Sequence, residues 1–462
     1  MRPRQFWVYM SIYISAIALL LYINYTIYEY QNVFSSLEDL FRSLYYQFLA
    51  LQIFTLWFWA AYNSGSAVKD EISEKTFDFF RILPLPARKK ASGILVGKNL
   101  VVLLLALINC LFLLFFGTMG NLTAKLQGQI FLTLASAAIL VNSITLLASI
   151  NPVKKYKKRG TLSVILIVFL FFFFFVSFGI SAFTEFTKIE GLENVSAKFY
   201  NFQLPVLLLI SSIVLYFSCW TLKGILRKFT REDQPLFTRN GAVIFMFGYE
   251  FVLFGLFFSY LIDGAGAVNY SYWAISLLPV LFIHFEALRS FDKYLEHSGF
   301  VRERTGSKPN TISSMLLYSN ISLGLGLFAI WAVVSVATTL ITGLNPLQPL
   351  YYILVLFSFF LFLILLLELY VVYSPLSNKI GLLLGFIALV HLFFPLILSL
   401  SLENEIIYLF SPLGFFGHIF AESTPGIAAQ TCILLVNLIL CVIPILLIWK
   451  RYNHILTARQ KM

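Results

Sequence analysis

Between two long apolar segments the chain reads VKDEISEKTFDFFRILPLPARKKASGILVGKN, from Val68 to Asn99. On a helical period, Val68, Ile72, Phe79 and Leu83 share one narrow arc. Asp70, Glu71, Glu74, Lys75, Asp78 and Arg81 occupy the other side, and Glu71 stands four residues before Lys75, the favourable order for an ion pair on a helix. Pro84 and Pro86 end that helix, because proline lacks the N–H and disfavours the helical conformation in the residue before it. Arg88, Lys89 and Lys90 follow, where a turn returns the chain to the membrane. The stretch predicts an amphipathic helix on the inner membrane surface, its charged face open to a soluble partner.

The rest of the chain makes a membrane the only plausible surrounding. Hydrophobic residues are 59% of the 462 and charged ones 12%, with a mean hydropathy of +0.85. That composition excludes a soluble globular protein, and apolar runs of about 20 residues are long enough to cross a bilayer. Twelve spans are expected, roughly at 6–28, 43–63, 94–117, 128–150, 161–183, 204–224, 241–262, 271–291, 317–342, 349–373, 380–400 and 427–449. Of the 33 Lys and Arg residues, all but Arg42, Lys125, Lys188 and Lys198 then fall on the side of the N-terminus. This asymmetry predicts both termini in the cytoplasm. Met1 to Gln5, with Arg2 and Arg4, reads as a retained basic cap on the first apolar helix.

The net charge of +11 is distributed as a topology signal, chiefly in Lys154–Arg159 and between Lys223 and Arg239, so anionic lipid is the expected contact and nucleic acid is not. Cys110, Cys219, Cys432 and Cys441 lie inside apolar runs and read as packing residues without disulfide or metal spacing. No connection is long enough for a folded catalytic domain. The expected fold is an all-α polytopic membrane protein of about twelve transmembrane helices in two six-helix halves, residues 1–228 and 229–462. In each half the second span precedes the largest cytoplasmic loop. Thr76-Phe77-Asp78 has a possible counterpart in Ser290-Phe291-Asp292, which makes Arg289, Asp292, Arg302 and Arg304 a possible second coupling loop.

Three short patterns carry a resemblance: Glu71-x-x-Glu74-Lys75-Thr76-x-Asp78, Ile82-Leu83-Pro84-Leu85-Pro86 and Gly97-Lys98. Together they resemble the segment after the second membrane helix of ABC-2 type transporter permeases, although Lys75 stands where that family usually has Gly. The resemblance covers about thirty residues. It implies a coupling element, with Glu71, Glu74, Lys75, Thr76, Asp78, Arg81, Pro84, Pro86 and Arg88 meeting a separate ATP-binding subunit. It also implies an exporter in the cytoplasmic membrane of a bacterium, with ATP and Mg held by two partner ATPase subunits and no cofactor in this chain. Further transporter subunits or self-association fit the same scheme. The fifth-to-sixth connections, 184–203 and 401–426, are long and aromatic. The second, from Ile406 to Phe416 with Ser411-Pro412, is similar to that family's short external helical hairpin; the other reading is an interfacial loop with an aromatic belt.

Catalysis by the chain itself is not expected. Gly93-Ile94-Leu95-Val96-Gly97-Lys98-Asn99 has three residues between glycines where a phosphate-binding loop needs four, and Asn99 replaces the magnesium-binding Ser or Thr. His284, His391 and His418 share no metal spacing. The carboxyl residues Glu250 and Glu368 lie within spans. An ionised carboxylate is costly there, so each is expected to face the bundle interior or carry a proton, as a substrate- or proton-binding group or as one end of an interhelical hydrogen bond. Asn109, Asn142, Gln430 and Asn437 read as helix–helix contacts. The expected function is therefore the permease of an ABC exporter, whose apolar walls suit a lipid-like or amphipathic cargo. The alternative is a twelve-helix secondary transporter driven by protons through Glu250 or Glu368.

Overall fold

Helix is the element that satisfies every backbone N–H and C=O within one segment, and it is what these apolar runs form. The computed structural model describes residues 3–31, 36–73, 83–150, 195–230, 236–262, 266–287, 321–341, 347–373 and 427–460. In chain order these form α1 (Pro3–Gln31), α2 (Leu37–Ile53), a π-helical turn (Phe54–Trp59), α3 (Ala60–Ser73), α4 (Ala87–Gly97), α5 (Leu100–Met119) and α6 (Ala124–Ile150). A strand pair follows, β1 (Ser196–Phe199) and β2 (Phe202–Pro205), then α7 (Val206–Thr230), α8 (Arg239–Ile262), α9 (Gly266–Ala287), α10 (Ile321–Ile341), α11 (Leu347–Tyr373) and α12 (Ile427–Gln460).

Among the described residues, 7 helices are long and apolar enough to cross a membrane: Leu100–Met119, Ala124–Ile150, Val206–Thr230, Arg239–Ile262, Ser322–Ile341, Leu350–Leu369 and Ala428–Arg451. The chain is an all-α, multi-pass membrane protein. Helices occupy the expected positions of ten spans, and the fifth (161–183) and eleventh (380–400) lie outside the described residues. Leu107, Leu111, Phe251, Val333 and Ile439 are all exposed on these helices, which a bilayer tolerates and water would not.

Three local readings differ from the sequence expectation. The helix does not restart at Val68: α2, the π-turn and α3 run without interruption to Ser73. Val68 and its neighbour Ala67 are fully buried, so the apolar arc begins inside the protein and not on the membrane surface. The third span begins at Leu100 and not at 94, since the helix breaks at Lys98 and Asn99. There the Asn99 side-chain amide donates to the Leu95 carbonyl at 2.9 Å, and Asn99 itself takes φ −96° and ψ 4°. A side chain inserted into the ladder in this way bends a helix. Finally, the sixth span begins at Val206 and not at 204, after a strand pair at residues 196–205 that closes the first fifth-to-sixth connection. Tyr200 and Asn201 both have positive φ, 48° and 66°, the signature of the two-residue turn that matches strand twist. Residues 401–426 lie outside the described set.

The described residues fall into two compact units. One comprises residues up to 150 with 195–197 and 203–236; the other comprises 198–202 and 237 onward. In the first unit α1, α2 and α5 pack around Tyr13, Leu44, Tyr45, Phe48, Leu105 and Phe116. Polar side chains pin the register of these helices. Asn24 and Gln47 exchange two hydrogen bonds of 2.8 and 2.9 Å between α1 and α2. Asn109 on α5 donates to the Phe48 carbonyl at 3.1 Å and to Gln52 Oε1 at 2.9 Å. Next to them α6 lies between α3 and α7, with the Thr133 and Ser211 hydroxyls 2.9 Å apart. Such pairs act between membrane helices where apolar surface cannot discriminate protein from lipid, each contributing about 0.6 kcal/mol on average.

In the second unit α8 to α12 pack in sequence, with Tyr272, Trp273, Trp331 and Tyr352 at their centre. Trp331 donates through Nε1 to the Ser276 hydroxyl at 2.7 Å and to the Trp273 carbonyl at 3.2 Å, locking α10 onto α9. Pro279 in α9 cannot donate to the Ile275 carbonyl one turn earlier. The Tyr249 hydroxyl of α8 does so instead, at 3.1 Å.

Candidate functional site

Two places in the structure concern the expected functional residues. The first is the segment joining α3 to α4. Glu71 is half-buried near the end of α3. Glu74, Lys75, Thr76, Asp78 and Arg81 lie outside the described residues. The chain is described again at Leu83, where the Leu85 amide donates back to the Leu83 carbonyl at 2.7 Å around Pro84, a three-residue turn. Pro86 follows in extended conformation (φ −60°, ψ 144°) and opens α4. Proline suits the start of a helix, where its missing N–H leaves nothing unsatisfied. Pro84, Leu85, Pro86, Arg88 and Lys89 are exposed, whereas Lys90 and Ala91 are buried. The segment therefore presents two prolines, one leucine and two cations outward from a helix with a buried inner face.

That helix is tied to the membrane-spanning part by one polar cluster. Asn99 Nδ2 donates to Ser64 Oγ at 2.8 Å, and Ser64 Oγ donates to Asn142 Oδ1 at 3.0 Å. Asn142 Nδ2 in turn donates to the Leu56 carbonyl at 3.1 Å, in the π-turn. The π-turn locally widens the helix, and a side-chain amide from α6 reaches one of its carbonyls. The first turns of α3, the start of α5 and the C-terminal half of α6 thus share one network. Asn142 matches its expected role as a helix–helix contact, as does Asn109.

The second place is Glu250, in the middle of α8. It is 3% exposed, and the Tyr272 hydroxyl of α9 donates to its Oε2 at 3.0 Å. Among the described residues its other oxygen, Oε1, has no hydrogen-bond partner. Glu368, at 4% exposure on α11, is also buried. The possible second coupling loop, with Arg289, Asp292, Arg302 and Arg304, lies outside the described residues. Tyr272 and Ser64 were not anticipated. The only signal available was a polar residue inside an apolar run, which does not say which helix it meets.

Beside Glu250 the tip of the strand pair rests on α8. Tyr200 donates its backbone N–H to the Gly255 carbonyl at 3.0 Å and its hydroxyl to the Phe251 carbonyl at 2.8 Å. Its ring packs against Phe251, Phe254 and Phe258 at 5.2, 5.8 and 5.5 Å between centroids. Burial among these rings pushes the Tyr200 phenol up to about 12. Among the described residues no group of three metal-ligating side chains occurs. Compared with protein-family models, with curated proteins and with solved structures, the chain matches none.

Proposed function

We propose that this chain is the membrane-spanning permease subunit of an ATP-binding-cassette exporter of a bacterial cytoplasmic membrane. Two separate ATPase subunits, which hold ATP and Mg, drive it by pushing on the segment between α3 and α4. The observation that carries this reading is the mechanical layout of that segment. An exposed Pro84-Leu85-Pro86-x-Arg88 turn projects from α4, and the Asn99–Ser64–Asn142 network joins its base to three membrane helices. A load on the turn is transmitted to α3, α5 and α6 with little slack, because packed side chains and buried hydrogen bonds deform little. The acidic residues before the turn, Glu71, Glu74 and Asp78, suit a basic docking face on the partner, and the sequence pattern resembles ABC-2 type permeases. The apolar walls of the membrane helices suit a lipid-like or amphipathic cargo.

Reversing the charges at Glu71, Glu74 and Asp78 tests the reading in the intact complex. The variant is expected to insert and fold normally while ATP hydrolysis is no longer coupled to the transporter. Unchanged coupling, or a chain that purifies under mild detergent with no ATP-binding protein, would sink it.

The buried Glu250–Tyr272 pair favours a second reading, a proton-coupled carrier. Transport by the purified chain alone, in vesicles under a proton gradient without ATP, would select it.

A further inference from the structure

The surroundings of Glu250 suit a carboxylic acid better than a carboxylate. Among the described residues, the Tyr272 phenol on α9 meets Glu250, and the phenols of Tyr249 on α8 and Tyr200 at the strand-pair tip lie near that of Tyr272. His284 lies towards the far end of α9, and α10 carries no ionisable residue. The Tyr249 proton is committed to the Ile275 carbonyl. Among the described residues no cation forms an ion pair with Glu250. A buried carboxylate needs a cation or several donors, and one neutral hydroxyl on Oε2 leaves the charge at Oε1 uncompensated. An acid needs less: its carbonyl oxygen Oε2 accepts from Tyr272, and Oε1 carries the hydrogen.

The route from that acid towards the strand pair is filled with rings. Phe254 and Phe257 pack on Tyr272 at 6.2 and 5.9 Å, and Tyr200 packs on Phe254. The tip is seated on a notch. A Cβ at Gly255 would collide with the Phe199 and Tyr200 rings, so only glycine lets the two rings settle there. Tyr200 keeps its positive φ of 48° in this seat, a conformation uncommon for a bulky residue, so the docked contacts offset local strain.

We propose that Glu250 and Tyr272 form a proton-binding site within the second unit, and that the docked tip of the strand pair, through Tyr200, shuts water out of it. The proton enters or leaves when the tip lifts. This inference stands apart from the exporter reading, and its test reads the carboxyl group itself, with neither ATP nor cargo present.

The measurement is infrared spectroscopy of the purified full-length chain with isotope-labelled glutamate, at neutral pH. An un-ionised carboxyl C=O band is expected that is missing from Glu250→Gln, which separates it from Glu368. In Tyr272→Phe the same band should move to higher frequency, since the lost hydrogen bond strengthens the C=O bond. This second variant keeps the carboxyl group and so reports even where Glu250→Gln fails to fold. A spectrum in which Glu250 contributes only carboxylate bands, or a band unmoved in Tyr272→Phe, overturns the proton site. Transfer to deuterated water then times exchange of the acid hydrogen. Exchange should be slow in the parent chain and about tenfold faster in Tyr200→Ala, which loses one side-chain hydrogen bond and the ring contacts. Equal rates overturn the closure by the tip.

Discussion

Asn99 and Ser64, thirty-five residues apart in the chain, meet at 2.8 Å, and that contact joins the return helix of the outward-facing segment to the membrane helix that precedes it. Ser64 is fully buried and serves both amides at once, accepting from Asn99 and donating to Asn142. Ser64→Ala therefore leaves the buried Asn99 amide and the half-buried Asn142 amide each short of a partner. The expected cost is about 1–2 kcal/mol, read as a lower unfolding midpoint. Amide hydrogen exchange in residues 83–99 should rise with it. A midpoint change without faster exchange in 83–99 would mean that the network does not hold the segment.

Gly255→Ala separates the helix from the tip that sits on it. Alanine favours α8 itself by about 0.5–1 kcal/mol over glycine. Its Cβ collides with the Phe199 and Tyr200 rings, so the tip must move away. Faster hydrogen exchange and easier proteolysis at 198–202, with helix content unchanged, is the expected result. A tip as protected as in the parent chain would show that the rings have room to shift.

Tyr249 and Pro279 make a compensating pair. Tyr249→Phe removes the hydroxyl that serves the Ile275 carbonyl, at an expected cost of about 1 kcal/mol. Pro279→Ala supplies a backbone N–H to the same carbonyl from within α9. The double variant should therefore lose less stability than the two single changes summed, a coupling measured by a double-mutant cycle. Additive losses would place the role of Tyr249 elsewhere.

The Tyr200 phenol offers a titration. Its proton is held more tightly in the docked tip, at about 12 against 10.0 for an unburied tyrosine. A group with a raised folded value contributes its full stabilisation below the unfolded value and loses it as pH rises through the folded one. The tip should therefore stay docked to about pH 10 and detach as pH approaches 12. The tyrosinate absorbance of the parent chain minus that of Tyr200→Phe reads this directly. A difference signal midway at ordinary tyrosine pH would show Tyr200 to be undocked.

The sequence carried the coarse architecture well. The helices of this multi-pass protein lie where hydropathy put the expected spans, apart from the fifth and eleventh, which fall outside the described residues. Pro84 and Pro86 mark a non-helical turn, because proline acts through its own ring and missing N–H and needs no partner. Glu250 stood out as costly for the same reason, since the penalty belongs to the residue and the bilayer. The break at Asn99 was missed: it depends on where that side chain points, and a window average sees only apolar neighbours. The strand pair was missed because Tyr200 and Asn201 adopt their turn only when the rings have α8 to rest on.

What the sequence determined by itself is the class of protein and the position of its helices along the chain, since each apolar window answers separately to the bilayer. Which polar residue meets which was decided by tertiary structure alone: Asn99 with Ser64, Tyr272 with Glu250, Tyr200 with the Gly255 notch. The physical reason is that such pairings depend on the rotation and register of one helix against another. In an apolar solvent those are set by close packing and by a few hydrogen bonds, and hydropathy carries no record of either.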